Sequence, residues 1–348
     1  MDKHSPSISS AAAAEERLEP AEETCFADTP TMSKPSHTHR PVHAQRVQNL
    51  HANGVTLHVV RDGPPTAEPL LLIPGFAMQL TDWPRGLIDQ LVEAGFHVIR
   101  FDLRDMGLSE SMDSHGQAGL VQAVLWRTFG ASAMVPYTLA DLADDAAALL
   151  TALEVPSAHV CGVSMGGMVA QHLVARHPQR VRSLTLMMTT TGSPWVPRAS
   201  PLLLSRLQME PPSWNQSEAL VQHFVNLYSA IGSPGFPEPT HELRERVEAG
   251  LKRSYRPQAL SRQMAAVVSD GDCTPLLRTI HVPTVVIHGS DDVMVPVGAG
   301  RDLARRIPGA IYDEIPGLGH DFPRALWPRF VRNIAQVARQ ARQRPASP

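Results

Sequence analysis

The sequence predicts an α/β fold: a mostly parallel sheet flanked by helices and broken once, late in the chain, by a helical insertion. Three observations predict it. Apolar runs of strand length alternate with stretches of helical spacing from about residue 55 to residue 191. That alternation stops from about Gly192 to Ile280, where Pro, Ser, Met and Arg are frequent and the regular apolar spacing is helical. It then resumes and runs to a last helix near Leu326–Arg342. Alternation of this kind builds parallel strands joined by helices that cover both faces of the sheet.

The elements follow in order. A short strand is predicted near Arg46–Leu50, then an Asn53-Gly54 turn signal and a strand over Val55–Val60. Leu70–Ile73 is an apolar run closed by Pro74-Gly75, and Trp83–Ala94 has helical spacing. A strand over His97–Phe101 ends at Asp102. Thr138 is placed to cap a helix over Leu139–Leu153. Ala158–Cys161 reads as a strand and Met168–Arg176 as a helix, with Gly162-Val163-Ser164-Met165-Gly166-Gly167 between them. A strand over Val181–Met188 closes the first series. After the insertion come a strand over Thr284–His288, a helix over Gly298–Arg306 and a strand over Ala310–Ile315. The segment Gln117–Tyr137, with Trp126 and Phe129, is a second candidate to lie over a site.

Composition bounds the rest. Residues 1–45 are poor in large apolar side chains, so they bury too little surface to offset their ordering entropy, and a disordered tail is expected. Residues 46–191 and 281–343 are then the two parts of one core around the insertion at 192–280. A net charge of −3, with Lys and Arg spread along the chain, gives no reason to expect a nucleic-acid partner. The three cysteines are far apart and have no metal-site spacing, so neither a metal nor a disulfide framework is expected. The chain opens without an apolar signal core and has no apolar run long enough to span a bilayer. A cytoplasmic protein is the resulting expectation.

Gly162-Val163-Ser164-Met165-Gly166 fits G-x-S-x-G and occurs once. Between a strand and a helix, that pattern puts the serine on a sharp turn above the sheet, and the flanking glycines remove Cβ atoms that would clash there. A serine hydroxyl needs a base to act as a nucleophile. His320, in the loop Pro316-Gly317-Leu318-Gly319-His320 after the last predicted strand, is the candidate. The base needs an acid to orient it, and Ser290-Asp291-Asp292-Val293 offers two carboxylates after another late strand. An oxyanion needs two N–H donors. Met165, opening the helix, supplies one, and Phe76, after Pro74-Gly75, is assigned the other.

Together, Gly162–Gly167, Asp102-Leu103-Arg104-Asp105-Met106-Gly107-Leu108-Ser109, His288–Pro296 and Gly317–His320 resemble the α/β-hydrolase superfamily over roughly residues 46–340. Within it, the stretch from Trp83 to Asp105, Tyr137–Leu142 and Ser164–Met168 is similar to a subgroup that includes the aclacinomycin methylesterases. The resemblance implies an α/β-hydrolase fold, carboxylic-ester hydrolysis without metal or organic cofactor, and Asp292 rather than Asp291 as the acid. It departs at Pro74-Gly75, where many members have His-Gly.

The expected activity is serine-dependent cleavage of small to medium apolar esters through an acyl-enzyme, with the insertion as a lid. The same residues could serve a lactonase, a C–C hydrolase or an acyltransferase, and a ligand receptor with slow turnover is the alternative from another class. Serine at position 164 argues against the dehalogenases and epoxide hydrolases of this fold, which use a carboxylate nucleophile. The aromatics and Met of the insertion (Trp195, Met209, Trp214, Phe224, Tyr228, Phe236, Tyr255, Met264) are expected to line an apolar pocket or to pack the lid onto the core.

Overall fold

Strand, tight turn and helix recur along the chain because short β-branched and leucine-rich runs end at Gly, Pro or Asp. The computed structural model describes residues 45–116, 124, 135–201, 203, 205 and 211–343. The expected tail, apart from Gln45, lies outside them, as does most of Gln117–Tyr137. The strands are β1 (Gln45–Ala52), β2 (Val55–Asp62), β3 (Glu68–Ile73), β4 (Phe96–Phe101), β5 (Ala158–Val163), β6 (Val181–Met187), β7 (Thr284–Gly289) and β8 (Ile311–Ile315). They form one sheet in the order β1-β2-β4-β3-β5-β6-β7-β8. β1 and β2 run antiparallel to their neighbours and all other pairs are parallel.

Strands β4, β5 and β7 are buried at every position, which is why they read as continuous apolar runs rather than as alternation. Helices α1 (Arg85–Glu93), α2 (Leu139–Ala152) and α3 (Met165–Arg176) belong to the first half of the core. Thr138 caps α2: its hydroxyl accepts the Asp141 N–H, and Asp141 reaches back to the Thr138 N–H. The insertion carries α4 (Ser217–Ile231), α5 (Thr240–Arg253) and α6 (Pro257–Asp270). Helices α7 (Gly298–Arg306) and α8 (Trp327–Gln343) complete the core. One apolar cluster joins β3, β5 and β6 to α2, α3 and Leu303 of α7. A second, on the other face, joins the sheet to Leu87, Ile88 and Leu91 of α1 and Phe330, Ile334 and Val337 of α8.

The segment from Thr274 to Ile280, expected within the insertion, packs into the core. Its Leu277 and Ile280 are buried in the sheet cluster, because the 3-10 turn at Thr274–Thr279 already leads the chain into β7. No helix among the described residues is long and apolar enough to cross a membrane.

The sheet order sets the position of the site. β3 lies between β4 and β5, so the crossovers leave it in opposite directions and open a crevice at the carboxyl ends of β3 and β5.

Candidate active site

The turn after β5 is tight because nothing larger than glycine fits around it. A Cβ on Gly162 would stand 2.3 Å from the Gly166 carbonyl oxygen, and one on Gly166 would stand 2.3 Å from that of Ile73. Between them Ser164 adopts φ 53°, ψ −124°, a left-handed φ that costs a non-glycine residue of order 1–3 kcal/mol. Packing of β5 and α3 holds it there. The Ser164 N–H donates to the Met187 carbonyl at 2.9 Å, and the Thr189 hydroxyl donates to the Ser164 carbonyl at 2.6 Å.

His320 Nε2 lies 3.1 Å from Ser164 Oγ, and His320 Nδ1 lies 2.7 Å from Asp292 Oδ2. The other carboxylate oxygen of Asp292 accepts the N–H groups of Met294 (2.9 Å) and Val295 (2.7 Å). These bonds fix the orientation of the buried carboxylate. Asp291 does something else: it is exposed, and its side chain accepts the Gly317 N–H at 3.0 Å, tying the β7 loop to the loop that carries His320. A second histidine, His288, is buried beside the pair. Its Nε2 is 2.7 Å from the Val295 carbonyl and 3.7 Å from Asp292. Burial holds its pKa below the usual imidazole value.

The β3 loop stands against the serine. A Cβ on Gly75 would be 3.2 Å from both Ser164 Cβ and the Val163 carbonyl oxygen. Among the described residues, the N–H groups of Phe76 and Met165 have no protein acceptor, whereas those of Gly75, Ala77 and Met78 are taken. The Met165 N–H also sits at the positive end of α3.

No local sequence signal marks how the insertion holds these loops. The His320 N–H donates to the Ile231 carbonyl at 2.8 Å and the Gly319 N–H to Ser233 Oγ at 2.8 Å. Ser233 in turn donates its backbone N–H to Asp321 at 3.1 Å, and its hydroxyl bonds the same carboxylate. From α6, Gln263 accepts the Ala77 N–H, and the buried Arg262 forks onto Asp105 at 2.6 and 2.8 Å. Arg253 of α5 reaches Asp102 at 2.7 Å. The Asp102–Ser109 motif is therefore a platform for the insertion. A Cβ on Gly107 would collide with the Asp102 carboxyl at 2.2 Å.

A cavity of about 60 Å³ lies between the insertion and the β3 loop, lined by Ala77, Gln79, Phe224, Tyr228, Arg246 and Tyr255 among others. Ser164 and His320 are outside its lining. Of the other insertion aromatics, Trp195 is 88% exposed and stands outside that lining, and Phe236 packs against the apolar cluster of α1 and α8. Met209 lies outside the described residues.

A profile of the α/β-hydrolase fold matches residues 68–323. A rhodomycin D methylesterase of Streptomyces peucetius is 30% identical over 307 residues, 82% of this chain and 96% of that protein. A pimeloyl-(acyl-carrier protein) methyl ester esterase of Chromobacterium violaceum is 33% identical over 207 residues, 57% of this chain and 78% of that one. Among solved structures, the enol-lactonase from Burkholderia xenovorans LB400 is 21% identical and superposes with a TM-score of 0.63, covering 84% of this chain and all of that one. This last likeness is one of fold.

Proposed function

The chain belongs to the α/β-hydrolase fold family and is a hydrolase acting on esters, and from that premise we propose that it is a serine esterase with Ser164 as nucleophile, His320 as base and Asp292 as the acid that orients it. The observation that carries this reading is the unbroken line Ser164 Oγ, His320 Nε2, His320 Nδ1, Asp292 Oδ2, at 3.1 and 2.7 Å.

Ser164 Oγ attacks the ester carbonyl carbon while its proton passes to His320 Nε2. The carbonyl oxygen becomes an oxyanion facing the N–H groups of Phe76 and Met165. The imidazolium, held by Asp292, returns the proton to the leaving alcohol oxygen as the C–O bond breaks. Water then loses a proton to His320 and attacks the acyl carbon, and Ser164 is released with its proton restored. Every proton in the cycle passes through His320.

The segment from Gly192 to the end of α6 acts as the lid, with the cavity beside Ala77 taking the part of the substrate remote from the scissile bond. Its rings support an apolar occupant. The methyl esters named for two relatives support a small leaving alcohol and a larger acyl part. The test is active-site titration with a fluorophosphonate, followed by turnover of nitrophenyl esters from acetate to palmitate. Labelling of a serine other than Ser164, or labelling without turnover, rejects the proposal.

A further inference from the structure

A second cluster of ligating side chains lies at the neck of the insertion. The chain leaves the core at Thr191-Gly192 and returns at Gly271–Cys273, and the two strands of that neck touch. The Cys273 N–H donates to the Thr191 carbonyl at 2.8 Å, and a Cβ on Gly192 would stand 2.2 Å from the Gly271 carbonyl oxygen. Asp270, the last residue of α6, and Cys273 here meet His172 of α3. His172 Nε2 is 2.7 Å from Asp270 Oδ1 and 3.5 Å from Cys273 Sγ, and Sγ is 2.7 Å from Asp270 Oδ2. One ligating atom from each residue lies within 4.8 Å of the other two. Cys273 is buried, and the His172 and Asp270 side chains are 14% and 7% exposed.

This arrangement is not a thiol nucleophile with its base. A relay takes the thiol proton at one ring nitrogen and is held by the acid at the other. Here the same nitrogen of His172 faces both Asp270 and Cys273. Three different donor atoms turned toward one point suit a cation. In a tetrahedral site with Zn–S of about 2.3 Å and Zn–N of about 2.0–2.1 Å, the S···N edge is roughly 3.5 Å, the separation found between Cys273 and His172. The carboxylate oxygens lie inside the corresponding edges because each now accepts a hydrogen bond, and a small rotation of Asp270 opens them. A thiolate, a carboxylate and a neutral imidazole together neutralise a dication. The mixed S, N, O donor set excludes calcium and magnesium, which take oxygen ligands, and selects zinc.

We propose that His172 Nε2, the Asp270 carboxylate and the Cys273 thiolate form a zinc site that clamps the neck of the insertion onto α3. As the Zn–S bond forms, the Cys273 thiol gives its proton to solvent and a water molecule fills the fourth position. His172 follows Ser164 by eight residues, about 12 Å along the helix at ~1.5 Å per residue. The metal therefore holds the insertion and stands apart from the reacting atoms.

The test uses the full chain, stripped with a chelator, in a Cys25→Ser background. That background removes the thiol nearest in sequence to His37, His39 and His43, so that cobalt has no second thiol–histidine partner there. Titration with Co²⁺ is expected to give a near-ultraviolet thiolate-to-cobalt band saturating at one equivalent. Cys273→Ser should abolish the band, and His172→Gln should weaken zinc binding by at least ~100-fold. Zinc should raise the Tm of the background protein by several degrees and leave that of the folded Cys273→Ser variant unchanged. Turnover of a nitrophenyl ester should be the same before and after stripping, to within about twofold. No thiolate band at millimolar cobalt, or a band that persists in Cys273→Ser, overturns the site. So does a zinc-induced rise in Tm that Cys273→Ser retains. If Cys273→Ser does not fold, judged by circular dichroism, loss of the band in His172→Gln decides the matter.

Discussion

The side-chain oxygen of Gln263 accepts the Ala77 N–H at 2.9 Å, so a helix of the insertion holds the loop that stands against Ser164. Gln263 is buried, and Ala77 has φ 60°, a conformation that alanine does not choose unaided. The bond fixes the peptide next to the Phe76 N–H. Gln263→Leu should therefore lower kcat by roughly 10–100-fold with KM changed far less, since an oxyanion donor acts in the transition state. Gln263→Glu keeps an acceptor and should recover most of the loss. Steady-state kinetics beside a thermal melt separates this role from a structural one: equal damage by both variants, in step with Tm, would remove Gln263 from the argument.

Ser164→Ala should cut ester turnover by roughly 10³–10⁶-fold while leaving the fold intact. The alanine inherits the left-handed backbone conformation. A matched far-ultraviolet spectrum with turnover at the uncatalysed level is the expected pair of results. Near-normal kcat in the variant would end the serine mechanism.

The two neighbouring aspartates should behave differently. Asp292→Asn removes the acceptor at His320 Nδ1 and should lower kcat by about 10²–10⁴-fold. Asp291→Asn loses only the bond to the Gly317 N–H on an exposed loop and should cost less than about tenfold. Parallel kcat measurements on one ester check the ranking, and the reverse order would move the acid to Asp291.

Acid stability should report on Asp62, the last residue of β2. Burial alone would raise its pKa, but the guanidinium groups of Arg100 (2.8 Å) and Arg85 (2.6 Å) outweigh that and hold it below the usual aspartate value. Arg100 is drawn down by its own burial against the pull of Asp62, yet it stays charged throughout the acid range. The linkage therefore runs through the carboxylate. A depressed folded pKa contributes stability that is fully present above the unfolded value, near ~3.9, and is lost as pH falls through the folded one. Asp62→Asn should cost about 3 kcal/mol at neutral pH, because it leaves Arg100 buried without its partner. It should also flatten the fall in stability below about pH 4. Urea melts at a series of pH values give both numbers. An acid limb unchanged by the substitution would assign that limb to other carboxylates.

Much of the fold was legible because its signals are local. Helix α7 was placed to the residue at both ends, and the Thr138 cap of α2 was found, since a cap and a glycine turn act over a few neighbouring residues. Ser164 announced itself through the glycines on either side, whose role is steric and adjacent. His320 and Asp292 were legible as the residues that follow strands, because the ends of parallel strands gather at one edge of the sheet. Choosing Asp292 over Asp291 rested on a resemblance. The sequence carries no local sign that one carboxylate turns inward to Met294, Val295 and His320 while the other turns out to Gly317.

The sequence by itself determined the alternation of elements, the sharp turn at Ser164 and the interruption between β6 and β7, all consequences of nearest-neighbour sterics and apolar spacing. Only the tertiary structure decided what crosses long stretches of chain. It brought Gln263 to Ala77, 186 residues away, and Arg262 to Asp105, 157 residues away. It turned His172 toward Asp270 and Cys273, a grouping with no recognisable spacing. The physical reason is that a hydrogen bond or an ion pair depends on where two backbones pass one another. Periodicity reports only which face of each element is apolar.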